Sequence, residues 1–146
     1  MNVGVIVAGG KGSRFGGYKQ TATLNNRPLY QYSLDIFNNS DSIDSIYLVI
    51  PKDLSPEIKK DLSVYDKNKP IILCYGGETR SESVYSAIKI LSKDTKIVFI
   101  HDAARPLVKN EHLSSLSVAC AKSDGAILAH RVSDTLKKAN NNNIAF

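Results

Sequence analysis

Glycines and cationic side chains are concentrated directly after the first apolar stretch of the chain. Residues 3–8 (VGVIVA) are followed by residues 9–20 (GGKGSRFGGYKQ), which carry five glycines, two lysines and one arginine. Residues 1–20 contain no acidic side chain. Glycine-rich backbone lets N–H groups approach an anion closely, and the cations add favourable charge. The pattern predicts a phosphate-binding loop, with a solvated basic turn as the alternative.

The spacing of this loop excludes two common phosphate-binding signatures. The Walker A pattern is absent, and the dinucleotide pattern fails because Phe15 stands where its third glycine belongs, with Gly16 one position late. The loop instead resembles the nucleotidyltransferase signature, A-[AG]-G-x-G-x-R followed by a lysine. In such enzymes negative charge grows at the α-phosphorus as pyrophosphate leaves, so Arg14 and Lys19 are predicted to stabilise the transition state.

A second glycine-containing loop follows the apolar residues 71–75. Its sequence, GGETRSES at residues 76–83, has Thr79 and Ser81 as candidate caps of a helix. A helix N-terminus beside glycines can bind an anion or a base. A helix start without a ligand is the alternative interpretation.

A third loop, HDAARP at residues 101–106, follows another apolar strand. Asp102 at the carboxyl end of that strand is the candidate ligand for Mg²⁺, held against triphosphate oxygens. His101 is predicted either to orient a neighbour or to fill space. Arg105 is predicted either to pair with a carboxylate or to hold the loop.

Alternating strand-like and helix-like segments are predicted to carry these loops. The predicted strands are 3–8, 45–50, 71–75, 96–100 and 126–130, and the predicted helices are 27–38, 56–65, 81–91 and 111–122. This alternation, with nearly continuous apolar strands, predicts an α/β fold with a mostly parallel sheet and helices on both faces. Right-handed connections then bring these three loops, together with the PKD loop at residues 51–53, to one edge of the sheet.

Five blocks, in order from residue 3 to about residue 138, make the resemblance specific. The blocks AGGKGSR, KQ, GGETRSESV, HDAARPLV and VSDTLKK together closely resemble the 2-C-methyl-D-erythritol 4-phosphate cytidylyltransferase family. The resemblance implies a Rossmann-like nucleotidyltransferase fold. It also implies transfer of the cytidylyl group of CTP to methylerythritol phosphate, with release of pyrophosphate. The attacking phosphate oxygen is already ionised at neutral pH, so the reaction needs no general base.

The resemblance also implies a role for particular residues. Contacts with cytidine and its phosphates are expected from Ala8, Gly9, Gly10 and Gly12, and stabilisation of the transition state is expected from Arg14 and Lys19. Recognition of cytosine is expected from Gly77, Glu78 and Ser83. Binding of substrate near the metal is expected from Asp102, Ala103 and Arg105.

The last part of the sequence is expected to begin another unit. Residues 1–133 are predicted to form the nucleotide-binding α/β domain, and residues 134–146 the start of an arm for substrate binding and dimerisation. Asp134 and Thr135 lie where the family begins its methylerythritol phosphate site. Because family members continue beyond this point, we expect a truncated arm and weak or absent activity for the 146 residues alone. A homodimer through the arm is the expected assembly.

Three departures from the family pattern keep alternatives open. The chain has Ala8-Gly9-Gly10 where the family often has AAG, Tyr18 where a proline usually precedes the lysine, and Glu78 where aspartate is frequent. One alternative is a ribitol-5-phosphate cytidylyltransferase or another sugar-phosphate nucleotidyltransferase, although Ala104 favours the methylerythritol enzyme. Another is a CTP-binding fragment without catalysis.

The bulk composition agrees with an enzyme for an anionic substrate. The 146 residues are 42% hydrophobic and carry a formal net charge of +5, which suits one globular domain with a core. No nucleic-acid-binding motif is present, and Cys74 and Cys120 lack zinc spacing and are predicted core residues. No signal peptide or membrane-spanning run is expected, so the predicted location is the cytoplasm.

Overall fold

A computed structural model describes residues 1–10, 18–65, 67–135 and 137 of the chain. Its strands are β1 (Asn2–Val7), β2 (Thr23–Leu24), β3 (Arg27–Pro28), β4 (Ser45–Ile50), β5 (Ile71–Tyr75) and β6 (Ile97–Asp102). The long strands form a parallel sheet in the order β5-β4-β1-β6, and β2 and β3 form a small antiparallel hairpin. The predicted α/β fold with a mostly parallel sheet is confirmed.

Helices cover both faces of the sheet, as predicted. They are α1 (Leu29–Asn38), α2 (Ser55–Ser63), α3 (Arg80–Ile88) and α4 (Asn110–Cys120), and a short 3-10 turn spans Lys19–Thr21. Apolar side chains of α1, α2 and α4 pack with one another on one face. Ala87 of α3 packs with Val5 and Val49 on the other face. The change of face by α3 lets the chain cross from β5 at one edge to β6 on the other side of β1, as right-handed connections require.

The two central strands are apolar because each is covered on both sides. β4 is buried along its whole length, and four consecutive residues of β1 are buried. Gly4 in β1 allows the ring of Phe37 to lie directly on the strand, since a Cβ at this position would be 2.3 Å from Phe37 Cδ1. The β1–α1 contact therefore depends on the missing side chain.

The first helix begins two residues later than the sequence predicts. Arg27 and Pro28 pair with Leu24 and Thr23 in the small hairpin, and Pro28 is the N-cap of α1 with an extended ψ of 138°. Proline fixes φ but leaves ψ open, so the same residue suits the end of a strand as well as a first helical turn.

The predicted strand at residues 126–130 is wrong. These residues have no regular secondary structure, and Ile127 is 88% exposed. An extended segment becomes a strand only when another strand completes its hydrogen bonds. None of the strands in the described part of the chain pairs with this segment, so its apolar residues remain irregular.

The two cysteines differ in burial. Cys74 is buried in β5, where burial raises the pKa of its thiol, whereas Cys120 at the end of α4 is partly exposed. Both thiols are free. Because only Cys74 is buried, the prediction of two core cysteines holds for Cys74 alone. Across the described ranges, no helix combines the length and apolar character that crossing a membrane demands.

Candidate functional site

The carboxyl ends of the four parallel strands meet at one edge of the sheet. Val7 is in register with Val49 on one side and with Asp102 on the other. Each ladder continues one step into the loop: the Ala8 N–H donates to Val49 O at 2.7 Å, and the Ala103 N–H donates to Val7 O at 3.0 Å. β6 continues through His101 to Asp102, two residues beyond the predicted strand, and the loops after β1 and β6 start side by side.

The loops after β1 and β5 approach each other so closely that they leave no room for side chains. A Cβ on Gly9 would be 3.0 Å from Ser83 Oγ and 3.1 Å from Gly76 Cα. Ser83 is 2% exposed, and its Oγ accepts a hydrogen bond from the Gly77 N–H at 3.2 Å. This hydrogen bond fixes the backbone of Gly77, and the contact of Ser83 with cytosine stays a prediction.

A reciprocal hydrogen-bonded cap fixes the start of α3. Thr79 Oγ1 accepts from the Glu82 N–H at 3.1 Å, and Glu82 Oε2 accepts from the N–H groups of Glu78 and Thr79 at 2.8 and 3.1 Å. Of the two predicted caps, Thr79 is therefore the one used. A Cβ on Gly77 would be 2.5 Å from Glu82 Cβ, so the cap itself requires glycine there. The backbone around Glu78 is consequently well defined before any ligand binds.

A cavity of about 560 Å³ lies at this edge of the sheet. Its lining combines residues after β1, β4 and β5, namely Gly9, Tyr18, Pro51, Lys52, Asp53, Gly76, Gly77 and Glu78. Three predicted nucleotide-binding residues therefore line one cavity. This volume falls in the range typical of small-molecule sites.

The side chain of Tyr18 joins the end of the glycine-rich segment to the loop after β4. Its hydroxyl donates to Asp53 Oδ2, and this hydrogen bond raises the pKa of Tyr18 above its usual value. Lys19, the predicted catalytic lysine, follows at the start of the 3-10 turn, where Thr21 Oγ1 donates to Tyr18 O at 3.0 Å. Sequence analysis placed the PKD loop at this edge but gave Asp53 no role, because the three residues carry no motif of their own.

Asp102 is held between two arginines. Arg80 Nε donates to Asp102 Oδ1 at 2.9 Å, and Arg105 Nε lies 3.2 Å from Asp102 Oδ2. The interpretation that Arg105 pairs with a carboxylate is the correct one of the two. Arg80 was not among the predicted site residues, although its place at the start of a helix that leaves the same sheet edge could have indicated it.

His101 connects the Asp102 loop to α1. Its Nε2 lies 3.0 Å from Arg105 O and 3.1 Å from Ser33 Oγ, and its ring lies 5.6 Å from that of Phe37. Because a carbonyl oxygen can only accept, Nε2 carries the proton. Burial lowers the pKa of His101 below its usual value, so the neutral ring is favoured. The histidine thus orients its neighbour Arg105 rather than merely filling space.

A larger, mostly apolar cavity of about 850 Å³ adjoins β6 and α4. Its lining includes Arg80, Asp102 and Arg105 together with the irregular residues Ile127 and Leu128. The ionic cluster around Asp102 therefore lines this larger, apolar cavity and not the smaller one.

The remaining predicted site residues fall into three groups. Gly10 is exposed three residues after the end of β1, and Ala103 is fully buried directly after β6. Asp134 and Thr135 are exposed and lie outside any helix or strand. Gly12 and Arg14 lie outside the described residues, so their predicted roles stay predictions.

Comparison with known proteins gives one consistent family. A model of the family "2-C-methyl-D-erythritol 4-phosphate cytidylyltransferase" matches residues 2–146. Relatives with this name from Clostridium botulinum (strain Langeland / NCTC 10281 / Type F) and Alkaliphilus oremlandii (strain OhILAs) are each 36% identical, over 145 and 141 residues. The alignments cover 97% and 94% of this chain, and 63% and 60% of the relatives.

A solved structure agrees with the sequence comparison. The crystal structure of 4-diphosphocytidyl-2C-methyl-D-erythritol synthase from Anaerococcus prevotii DSM 20548 superposes with a TM-score of 0.86 at 28% identity. The match covers 99% of this chain and 62% of that one, so the chain spans less than two thirds of the length of its relatives. From the family match and the shared fold, we conclude that the chain belongs to the 2-C-methyl-D-erythritol 4-phosphate cytidylyltransferase family.

Proposed function

We propose that the protein transfers the cytidylyl group of CTP to 2-C-methyl-D-erythritol 4-phosphate. The products are 4-diphosphocytidyl-2-C-methyl-D-erythritol, an isoprenoid precursor, and pyrophosphate. Family membership supports the reaction, and the observation that carries it is the convergence of Gly9, Gly77 and Asp102 at one sheet edge. Ligands of open α/β sheets bind at this edge.

The proposed chemistry is displacement at the α-phosphorus by the phosphate of methylerythritol phosphate. An oxygen of that phosphate forms the new P–O bond, and pyrophosphate leaves with the electrons of the broken bond. Lys19 and Arg14 are assigned the stabilisation of the added negative charge. Support for Lys19 comes from its position next to Tyr18, whose side chain lines the smaller cavity.

We also propose a divalent cation, Mg²⁺, with Asp102 as its protein ligand. The described residues contain no cluster of three or more His, Cys, Asp or Glu side chains suited to a metal. Mg²⁺ at phosphate-transfer sites usually needs only one or two carboxylates, since substrate phosphates and water complete its shell. The Asp102 carboxylate has about four lone-pair sites. It therefore retains lone pairs for a metal ion while Arg80 and Arg105 bind to it. When bound, the ion would neutralise charge on the triphosphate.

The proposal includes a homodimer and a cytoplasmic location. The dimer is assigned to the arm that begins at Asp134, on the strength of the family resemblance. Free thiols at Cys74 and Cys120 support a reducing compartment.

Calorimetric titration with nucleotides tests the nucleotide site in the 146-residue chain itself. In the presence of Mg²⁺ we expect CTP to bind at least about tenfold more tightly than UTP or GTP, because hydrogen-bonding pockets reject analogues strongly. Equal affinity for the three nucleotides would remove the assignment of a cytidylyltransferase.

A substrate panel tests the acceptor. The protein at the length of its relatives should release pyrophosphate from CTP with methylerythritol phosphate and not with ribitol 5-phosphate. Release with ribitol 5-phosphate alone would make the protein a ribitol-5-phosphate cytidylyltransferase. If the protein binds CTP but releases pyrophosphate with neither acceptor, it is a nucleotide-binding module without catalysis.

Lys19→Ala separates a role in the transition state from a role in binding. We expect kcat to fall about 100-fold or more, as for other removed transition-state donors, while the KM for CTP changes by less than about threefold. Lys93→Ala, an exposed lysine in the turn before β6, is the matched control and should keep normal kinetics. Near-normal kcat in Lys19→Ala would contradict the assignment.

A further inference from the structure

The Asp102 carboxylate has both oxygens engaged by guanidinium groups that come from different parts of the chain. Arg105 is three residues away on the same loop, whereas Arg80 is the first residue of α3, which follows β5. The contact with Arg80 is a charge-assisted hydrogen bond, which is directional, and the contact with Arg105 is an ion pair. The carboxylate is therefore fixed from two sides.

The backbone of Arg80 is itself well fixed. It follows Thr79, whose side chain and backbone both take part in the reciprocal cap with Glu82. The same cap holds the backbone N–H of Glu78, which lines the smaller cavity. The Arg80 side chain thus links the loop proposed for cytosine to the carboxylate proposed for the triphosphate.

The exposure of Arg80 and Asp102 indicates how much their ion pair adds to folding stability. Asp102 is 31% exposed at its side chain and Arg80 is 60% exposed, so the pair is partly solvated. Exposed ion pairs contribute little to folding stability, in the range of about 0–1 kcal/mol. The contact is consequently better suited to orienting Asp102 than to holding the fold together.

We propose that Arg80 is a positioning residue, which acts on the nucleotide through Asp102 and not by direct contact with the phosphates. This inference rests on the proposed function, since it takes the loops after β5 and β6 as two parts of one nucleotide site. It assigns the arginine of the GGETRSES segment a role beyond starting a helix.

The first test is the affinity for CTP in Mg²⁺, measured by calorimetry on the 146-residue chain. Arg80→Met keeps the length of the side chain and removes its charge and donors. We expect CTP binding to weaken about tenfold, and about threefold in Arg80→Lys, which keeps the charge without the planar guanidinium. The melting temperature should remain within about 3 °C of the unsubstituted chain, because the pair is partly exposed.

A double-mutant cycle with Asp102→Ala distinguishes action through Asp102 from direct contact. If Arg80 acts through Asp102, Arg80→Met should weaken binding no further once Asp102 has been replaced. If the two losses multiply, Arg80 contacts the ligand itself and the positioning role is wrong. A purely structural role would lower the melting temperature without such coupling in affinity.

Lys93→Met is the matched control for the loss of one positive charge. Lys93 is exposed in the turn before β6, at the opposite end of that strand from Asp102. Its replacement should change CTP affinity by less than about twofold. Failure of the unsubstituted chain to bind CTP would remove the proposed nucleotide site and this role with it. Normal CTP binding by Arg80→Met would remove this role alone.

Discussion

At the scale of single residues, the glycines of the site serve two different purposes. Gly9 is required by the protein itself, because a Cβ there would be 3.0 Å from Ser83 Oγ. Gly10, the next residue, would have no described atom within 4 Å of an added Cβ. None of the described residues requires glycine at position 10, and we expect a ligand to come close to its backbone.

Gly10→Ala is therefore expected to separate binding from folding. The midpoint of urea unfolding should stay unchanged, while the affinity for CTP measured by calorimetry should fall about tenfold, because the methyl group occupies space near the phosphates. Gly125→Ala is the matched control, since an added Cβ there also meets nothing within 4 Å and lies far along the chain from the glycine loop. Unchanged CTP affinity in Gly10→Ala would show that this glycine lies outside the nucleotide site.

At the scale of elements, α1 packs on β1 and also supports the loop that carries Asp102. Phe37 of α1 is fully buried against Gly4, and His101 contacts both the Phe37 ring and Ser33 of α1. The Asp102 loop is thus supported by the same helix that packs on β1. Packing in this region controls the site without any contact with a ligand.

Gly4→Ala should consequently destabilise the whole fold. The new Cβ would lie 2.3 Å from Phe37 Cδ1, so the helix or the ring must move. Overpacking of this kind costs about 1–3 kcal/mol, which urea unfolding would detect as a lower midpoint with an unchanged m value. The control is again Gly125→Ala. A free energy of unfolding within about 0.5 kcal/mol of the unsubstituted chain would show that the close packing of Phe37 on β1 is not essential.

At the scale of the whole molecule, the exposed segment after α4 bears on how the α/β unit assembles. Described residues after Cys120 form no helix or strand, and the segment from Ala126 to Thr135 is largely exposed. Exposed apolar side chains there include Ile127, Leu128 and Val132. Clusters of this type often mark interaction surfaces, and this one directly precedes the arm at residues 134–146 to which the dimer is assigned.

Removal of residues 134–146 tests that assembly. We expect the 146-residue chain to sediment as a dimer at high concentration and the shortened chain as a monomer, with the same melting temperature, because no described helix or strand is lost. Analytical ultracentrifugation over a tenfold range of concentration measures this. A shortened chain that still dimerises would move the interface to the α/β unit.

Sequence patterns predicted the α/β class correctly because burial on both faces leaves a strong signal. β4 reads SIYLVI and is buried throughout, and the loops after the strands are rich in glycine and charge. The prediction failed at residues 126–130, where apolar composition was taken for a strand. Composition reports the tendency of a segment to be extended, but pairing depends on whether a neighbouring strand exists.

The sequence by itself determined the four strands of the parallel sheet, the order of the loops and the family, since these depend on local patterns and on motifs such as HDAARP. Only the tertiary structure decided which side chains meet. The contact between Arg80 and Asp102 joins residues 22 positions apart, and that between Tyr18 and Asp53 joins residues 35 positions apart. Such contacts depend on strand register and helix direction together, which no single segment of the sequence encodes. For the same reason, the hydrogen bond from the Gly77 N–H to Ser83 Oγ became evident only when the structure brought Gly9, Gly76 and α3 together.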